Sequence, residues 1–180
     1  MTRIDRRCGW PLICLGVVLA SAGPAGAQTQ EQIDWCVNEP RRFSPDLAIS
    51  GCTAAIQSGK WSGKGLAWAF ANRGIAYVTL KDLNRALVEY NTALSLDPEY
   101  AVGYYNRGTC YFRLNDDDRA IADLSQAIRF RPNYAAAYAN RALAYERKGD
   151  RERAIADFRL ALQYGDKEAA DDLRRLGVTP

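Results

Sequence analysis

A segment of this 180-residue chain occurs three times, and each copy starts 34 residues after the one before it. Ala67, Ala101 and Ala135 open the copies, and eight positions carry the same residue in all three. The other seven sets of identical residues, here called columns, are Asn72/Asn106/Asn140, Arg73/Arg107/Arg141, Tyr77/Tyr111/Tyr145, Asp82/Asp116/Asp150, Arg85/Arg119/Arg153, Ala86/Ala120/Ala154 and Ala93/Ala127/Ala161. Unrelated segments of ordinary composition would share well under about one such column. The period therefore indicates a stack of equivalent supersecondary units.

Each copy has the pattern of two helices joined by a turn. Phe70, Gly74 and Tyr77 recur at helical spacing and mark one face of a first helix. Asp82 is placed as the N-cap of a second helix, whose inner face carries small residues such as Ala86. One hairpin of this kind cannot bury its own apolar face, so about three or more must stack. The sequence therefore predicts an all-α fold, an α-solenoid of helical hairpins.

The pattern resembles the tetratricopeptide repeat, in which an aromatic residue, a small residue, a second aromatic, two spaced alanines and a closing proline follow one another. The residues that carry the resemblance are Phe70/Tyr104/Tyr138, Gly74/Gly108/Ala142, Tyr77/Tyr111/Tyr145, Ala86/Ala93 with their equivalents, Pro98 and Pro132. The repeats also resemble an exported bacterial sub-type that reads Asn-Arg-Gly and then Asp-x-x-Arg-Ala-Ile. This resemblance implies three full repeats at 67–100, 101–134 and 135–168.

The regions beside the three repeats read as the two ends of one stack. On the C-terminal side, Asp166 is placed to cap a helix over 166–176 that Gly177 would stop, so the repeat domain is expected to span 67–180. On the N-terminal side, residues 28–66 read as a degenerate leading hairpin and a linker. Ser44 followed by Pro45 is a typical helix start. Ala48 precedes Ala86 by 38 residues, so the linker adds about four residues to the 34-residue period.

Residues 1–27 have the pattern of a cleaved signal peptide. A basic start is followed by an apolar stretch of about a dozen residues, and small residues then predict cleavage before Gln28. The alternatives are retention as an anchor, although a permanent span needs roughly 20 apolar residues, and a twin-arginine signal at Arg6-Arg7. We therefore expect a periplasmic or secreted bacterial protein with no stable membrane anchor after cleavage.

The positions of the cysteines are those expected of an exported protein. Cys36 and Cys52 fall on the two helices of the leading hairpin, and in an oxidising compartment a disulfide between them is the natural expectation. The bridge would close a loop of about 15 residues and contribute on the order of 3 kcal/mol in the chain-entropy model. Two buried free thiols are the alternative. Cys110 is expected to be a small buried side chain within a first helix.

Composition argues against several classes of function. The chain has no histidine, which removes the commonest general base and the commonest metal ligand. Cleavage after residue 27 would remove three basic groups and one acid, leaving 21 basic and 20 acidic residues. A chain so nearly neutral has no electrostatic footprint for nucleic acid. We expect no cofactor, no metal site and no catalytic activity, and hence not an enzyme.

The resemblance implies that the first helices line a concave groove. Its expected lining is Trp68, Ala71, Asn72, Ile75, Val78, Val102, Tyr105, Asn106, Thr109, Phe112, Ala136, Ala139, Asn140, Leu143 and Arg147. The asparagine column could bond to an extended peptide while the aromatics supply contact area. Alternatively, each asparagine bonds only within its own hairpin. Related proteins that clamp a chaperone's terminal carboxylate use lysines on these helices. Here Val78 and Thr79 stand where such charges would be expected, so we do not expect a carboxylate clamp of this kind.

The arginine column departs from the general repeat, which favours leucine there. Every arginine is followed sixteen residues later by an acid: Arg73 by Glu89, Arg107 by Asp123 and Arg141 by Asp157. We interpret these as structural ion pairs between facing helices that set helix register. The alternative is an arginine row for an acidic ligand.

These patterns predict a non-enzymatic adaptor or scaffold of the periplasm or cell envelope that holds a peptide or protein of unknown identity. The alternative is a structural, self-associating component of a secretion, pilus or envelope assembly.

Overall fold

The computed structural model describes residues 30–37 and 43–180, so the predicted signal peptide and its cleavage site lie outside the described residues. The described part is helical and contains no strand. Its α-helices are α1 Gln30–Val37, α2 Pro45–Gln57, α3 Ala67–Thr79, α4 Leu83–Leu96, α5 Ala101–Arg113, α6 Asp117–Phe130, α7 Ala135–Arg147, α8 Arg151–Gln163 and α9 Ala169–Arg175, with a short 3-10 helix at Gly63–Leu66. The prediction of an all-α solenoid of helical hairpins is confirmed.

The same set of contacts forms the turn between the two helices in each of the three repeats. The side chains of Asp82, Asp116 and Asp150 accept hydrogen bonds from backbone N–H groups three residues later, at 2.9, 3.1 and 3.0 Å. The second oxygen of each carboxylate pairs with an arginine that also lies over a tyrosine ring of the first helix, as Arg119 does over Tyr111 at 4.4 Å. Three of the repeated columns thus have a single role, which is to start the second helix and hold it to the first.

Small residues bring the two helices of each hairpin together. Ala86 and its equivalents are fully buried, and the larger residues Tyr90, Leu124 and Phe158 fill the space beside them. Tyr90 lies so close to α3 that a Cβ atom on Gly74 would stand 2.6 Å from its ring. Gly74 therefore allows the Tyr90 ring to pass across the hairpin.

The leading hairpin, α1 and α2, packs against α3. The Ser44 hydroxyl accepts the N–H of Leu47 at 3.3 Å and caps α2. The helices approach closely because Gly51 faces the backbone of α1, where a Cβ atom would lie 2.5 Å from the carbonyl oxygen of Gln32. The sulfur atoms of Cys36 and Cys52 are 2.10 Å apart within this buried contact.

The last helix begins later than the sequence predicts. Helix α9 starts at Ala169, and Asp166 accepts the N–H of Glu168, only two residues ahead, at 3.1 Å. The chain must first reverse direction after α8 at Gly165. The residues after Asp166 therefore form a non-helical turn, and the helix begins only after it. The helix ends at Arg175, and Gly177 then turns the chain at positive φ, so that the N–H of Val178 bonds to the carbonyl of Leu173. Buried Leu173 covers the end of the last repeat.

Candidate functional site

The arginine column forms ion pairs inside the hairpins. Arg107 donates from Nε and Nη2 to the two carboxylate oxygens of Asp123, at 2.7 and 2.8 Å. Arg141 makes the same paired contact with Asp157, at 2.7 and 2.9 Å. Both acids are buried, and the hydrogen bond that Arg107 donates to Asp123 raises the pKa of Arg107 above its ordinary value.

Each arginine also reaches back to the second helix of the preceding hairpin. Nη1 of Arg107 bonds to Asn91 at 2.7 Å, and Nη1 of Arg141 bonds to Ser125 at 2.9 Å. Arg73 makes the equivalent hydrogen bond to Thr53, at 3.1 Å. Thr53 lies 38 residues before Asn91 instead of 34, and this difference is the four-residue insertion in the linker. Because these guanidinium groups are engaged on two sides, the geometry favours the structural interpretation over an arginine row for an acidic ligand.

The Arg73 pair is less complete than the other two. Arg73 donates to a single oxygen of Glu89, at 3.0 Å, and its Nε is buried with no hydrogen-bond partner. Glu89 is one methylene longer than the aspartates in the same column, and its carboxylate accepts only one hydrogen bond from the guanidinium.

Asn140 links two neighbouring repeats rather than the two helices of its own hairpin. Asn140 on α7 donates to Thr109 at 3.1 Å and to the Tyr105 hydroxyl at 3.4 Å, both on α5. For Asn140 the within-hairpin alternative is therefore wrong, and its amide is already occupied by the protein.

Asn106 occupies the same column but lacks those partners. Thirty-four residues before Tyr105 and Thr109 stand Ala71 and Ile75, neither of which has a polar side chain. The Nδ2 of Asn106 is buried and has no hydrogen-bond partner among the described residues.

Arg147, which the sequence places in the groove as a partner-binding residue, is tied to the preceding repeat. Its guanidinium lies 3.9 Å from the centre of the Phe112 ring and donates to the Phe112 carbonyl at 2.7 Å. It also donates to Asn115 at 3.0 Å and to Asp117 at 2.8 Å. These donors join α7 to the α5–α6 turn, and partner binding by Arg147 stays a prediction.

The predicted groove aromatics are half-buried. Tyr105 packs on Tyr134 with ring centres 4.8 Å apart, and Phe112 lies beneath Arg147. Trp68 meets the edge of Trp61 at 5.4 Å and packs against the leading hairpin. These residues support contacts between hairpins and also border the groove formed by α3, α5 and α7.

One pocket opens where α3 and α5 meet, and we call it the central pocket. Its volume is about 230 Å³. Its lining consists of Ile75, Val78, Tyr90, Tyr105, Asn106, Thr109, Cys110 and Arg113. Tyr90 and Cys110 are buried at its base, and burial raises the pKa of the Cys110 thiol to about 11.

Sequence reasoning missed Tyr90, Cys110 and Arg113 as site residues. One signal was available for Tyr90, which carries a hydroxyl where the other repeats have Leu124 and Phe158. Arg113 is the 34-residue equivalent of Arg147, yet it makes no hydrogen bond or ion pair with any described residue. The pocket thus combines an apolar wall with donors that lack partners.

Within residues 30–37 and 43–180, no helix is long and apolar enough to cross a membrane. The same residues contain no cluster of three or more histidine, cysteine or acidic side chains suited to holding a metal ion.

Comparison with known families agrees with this fold. The family described as TPR repeat matches residues 74–115 and 108–149, and the family described as tetratricopeptide repeat matches 135–164. The matches run from residue 74 to residue 164, about half of the chain. The chain belongs to the tetratricopeptide-repeat family.

Several solved structures are similar to this chain. The crystal structure of MamA is 30% identical over 69% of this chain and 71% of its own, with a TM-score of 0.59. The first TPR domain of Spaghetti (RPAP3) bound to the HSP90 peptide SRMEEVD is 26% identical over 66% of this chain and 96% of its own, with a TM-score of 0.62. The Arabidopsis OM64 TPR domain is 27% identical over 64% and 98%, also at 0.62. No curated protein matches the chain.

Proposed function

We propose that this protein is a non-enzymatic adaptor of the bacterial periplasm or cell envelope, which binds a peptide or a segment of another protein in the groove formed by α3, α5 and α7. The export part of the proposal rests on the signal-peptide pattern of residues 1–27 and on the Cys36–Cys52 pair. The binding part rests on the groove.

The central pocket is the observation that carries the binding proposal. A buried amide donor without a partner costs about 1–3 kcal/mol, and a ligand that accepts from it recovers that cost. The Asn106 amide is such a donor beside exposed apolar Ile75, so the pocket suits a chain segment with both acceptors and apolar surface. The RPAP3 domain that binds the HSP90 peptide shares this fold, which supports a peptide as the class of ligand.

Site-specific photo-crosslinking in the producing cells tests the groove. A photoreactive amino acid at Ile75, which is 38% exposed beside the pocket, should form a covalent adduct with a partner protein. Val88 is the matched control, since it is an aliphatic residue on α4 that is 62% exposed and does not line the pocket. Adducts at Val88 but not at Ile75 would move the binding surface out of the groove.

Export is tested separately by intact mass and cell fractionation. The protein recovered from the periplasm or medium should begin at Gln28. A full-length chain in the cytoplasmic fraction would contradict the export part of the proposal and leave the groove untouched.

The mass of the native mature protein separates the adaptor from a self-associating component. A monomer leaves the groove open to a partner. If Ile75 crosslinks only to a second copy of the chain, the adaptor proposal fails and self-assembly replaces it.

A further inference from the structure

The leading hairpin differs from the three repeats in the contact that holds its two helices together. In each repeat a small residue of the first helix lies against a large residue sixteen positions later in the second helix. These pairs are Gly74/Tyr90, Gly108/Leu124 and Ala142/Phe158. Cys36 and Cys52 are also separated by 16 positions. They lie 38 residues before Gly74 and Tyr90, which is the repeat period plus the four-residue insertion. The disulfide therefore occupies the position of this core contact.

The hairpin also lacks the ion pair that joins the two helices of each repeat. At the same offset, Trp35 and Gly51 stand where Arg73 and Glu89 form their pair. Gly51 has no side chain that could accept a hydrogen bond, and a Cβ atom there would lie 2.8 Å from the Cβ atom of Trp35. Close packing of a glycine against a tryptophan thus replaces the ion pair.

Helix α1 contributes little to the core besides its cysteine. It consists of eight residues, and Cys36 is the one of them that is buried. Ile33 and Trp35 are half-buried. An isolated helix of this length is marginal in water, so α1 persists only while it is attached to the rest of the protein.

Helix α2 has attachments to the first repeat that do not involve α1. Ala55 of α2 and Ala69 of α3 are both fully buried and belong to one core cluster. Arg73 of α3 also bonds to Thr53 of α2 at 3.1 Å. Loss of α1 would therefore leave α2 in place on α3.

We propose that the Cys36–Cys52 disulfide is a redox latch for α1. While the bridge is closed, α1 covers the face of α2 that carries Gly51 and Cys52. When the bridge is reduced, α1 leaves α2 and unfolds, and the repeats stay folded. Opening takes two electrons and two protons from a dithiol reductant, which becomes a disulfide as the bridge becomes two thiols.

The latch makes the state of the leading hairpin depend on the compartment. It is closed in an oxidising compartment and open in a reducing one. It lies outside the groove formed by α3, α5 and α7, and so does not depend on what the groove binds.

Timed thiol labelling of the mature native protein, reduced with dithiothreitol, tests the latch. Each cysteine's rate is divided by its own rate in denaturant, so that differences in intrinsic reactivity cancel. Cys36 and Cys52 should then react at least about tenfold faster than Cys110, which stays buried in α5. Slow labelling of all three would overturn the proposal by showing that α1 stays docked without the bridge. Fast labelling of all three would also overturn it, because the repeats would then open as well.

Hydrogen exchange of a bridge-free variant provides a second test. Cys36→Ala with Cys52→Ala removes the bridge and keeps two small apolar side chains. Its backbone amides at 30–37 should exchange at least about tenfold faster than in the oxidised wild type, whereas those of α5 to α8 should be unchanged. Cys110→Ala is the matched control, because it removes a buried cysteine, keeps the bridge and should leave the exchange of α1 as it is in the wild type. Unchanged exchange of α1 in the double variant, or faster exchange throughout α5 to α8, would overturn the proposal.

Discussion

Arg107 on α5 holds Asp123 on α6 through two parallel hydrogen bonds and, with its remaining nitrogen, holds Asn91 of the preceding hairpin. One side chain therefore fixes the register of two helices and the spacing of two repeats. Arg141 repeats this arrangement with Asp157 and Ser125.

Arg107→Leu should destabilise the protein by roughly 3 kcal/mol, because it leaves the buried carboxylate of Asp123 without its cation. Replacing both residues with leucine should recover much of that loss, since neither charge then remains buried. Urea unfolding of the two single variants and the double variant measures the coupling energy. Simple additivity would show that the two side chains do not act as a pair.

Glu89→Asp should stabilise the protein by about 1 kcal/mol, because the shorter acid can pair with two nitrogens of Arg73 and satisfy the buried Nε. The reverse change, Asp123→Glu, is the matched control and should lower the free energy of unfolding. Both are measured by chemical denaturation. A lower stability of Glu89→Asp would mean that the hairpin cannot bring the shorter side chain into contact.

One cysteine per mature chain should react with a thiol reagent in denaturant without reductant. Cys110 is free, and we predict that Cys36 and Cys52 are joined. Added reductant should raise the number to three. In the native protein Cys110 should react slowly, because it is buried and its pKa is raised to about 11. Three labelled cysteines without reductant would contradict the disulfide.

Acid should destabilise the three turns that are capped by an aspartate. The hydrogen bond from Arg119 lowers the pKa of Asp116 below its ordinary 3.8, and the other two caps, Asp82 and Asp150, are shifted in the same direction. A group with a lowered folded-state pKa contributes stability above its unfolded pKa and loses it as the pH falls through the folded value. Melting temperature should therefore fall below about pH 4.

The triple variant Asp82→Asn, Asp116→Asn and Asp150→Asn isolates this effect, because asparagine also caps helices but does not titrate. Its melting temperature should change less between pH 5 and pH 2 than that of the wild type, and the control Asp34→Asn should follow the wild type. Parallel curves for the triple variant would show that the caps do not carry the acid sensitivity.

Phe112→Ser should cost roughly 1–2 kcal/mol of stability, since the ring is half-buried and supports the Arg147 guanidinium. From the sequence alone, little change in melting temperature is expected, because Phe112 is predicted to lie on the solvent-exposed surface of the groove. Thermal melts of this variant and of the exposed control Val88→Ser distinguish the two expectations. An unchanged melting temperature would restore Phe112 as a free binding residue.

Much of the fold could be predicted because its interactions are local. The caps, the alanine columns and the Arg–acid pairs all join positions within one repeat, so a 34-residue period is enough to locate them. The start of α9 could not be predicted, because Asp166 is equally suited to capping a helix and to making a turn.

The sequence by itself determined the class of this protein, the number of full repeats and the positions of their helices, because these follow from periodic spacing along the chain. The tertiary structure alone decided which polar groups are satisfied. Asn140 and Asn106 occupy the same position of the 34-residue repeat, and so do Arg147 and Arg113. Their hydrogen bonding nevertheless differs, because it depends on the facing helix of the preceding repeat. Only the packed structure shows that Thr109 and Asp117 meet one pair while Ile75 and Leu83 offer the other no acceptor side chain.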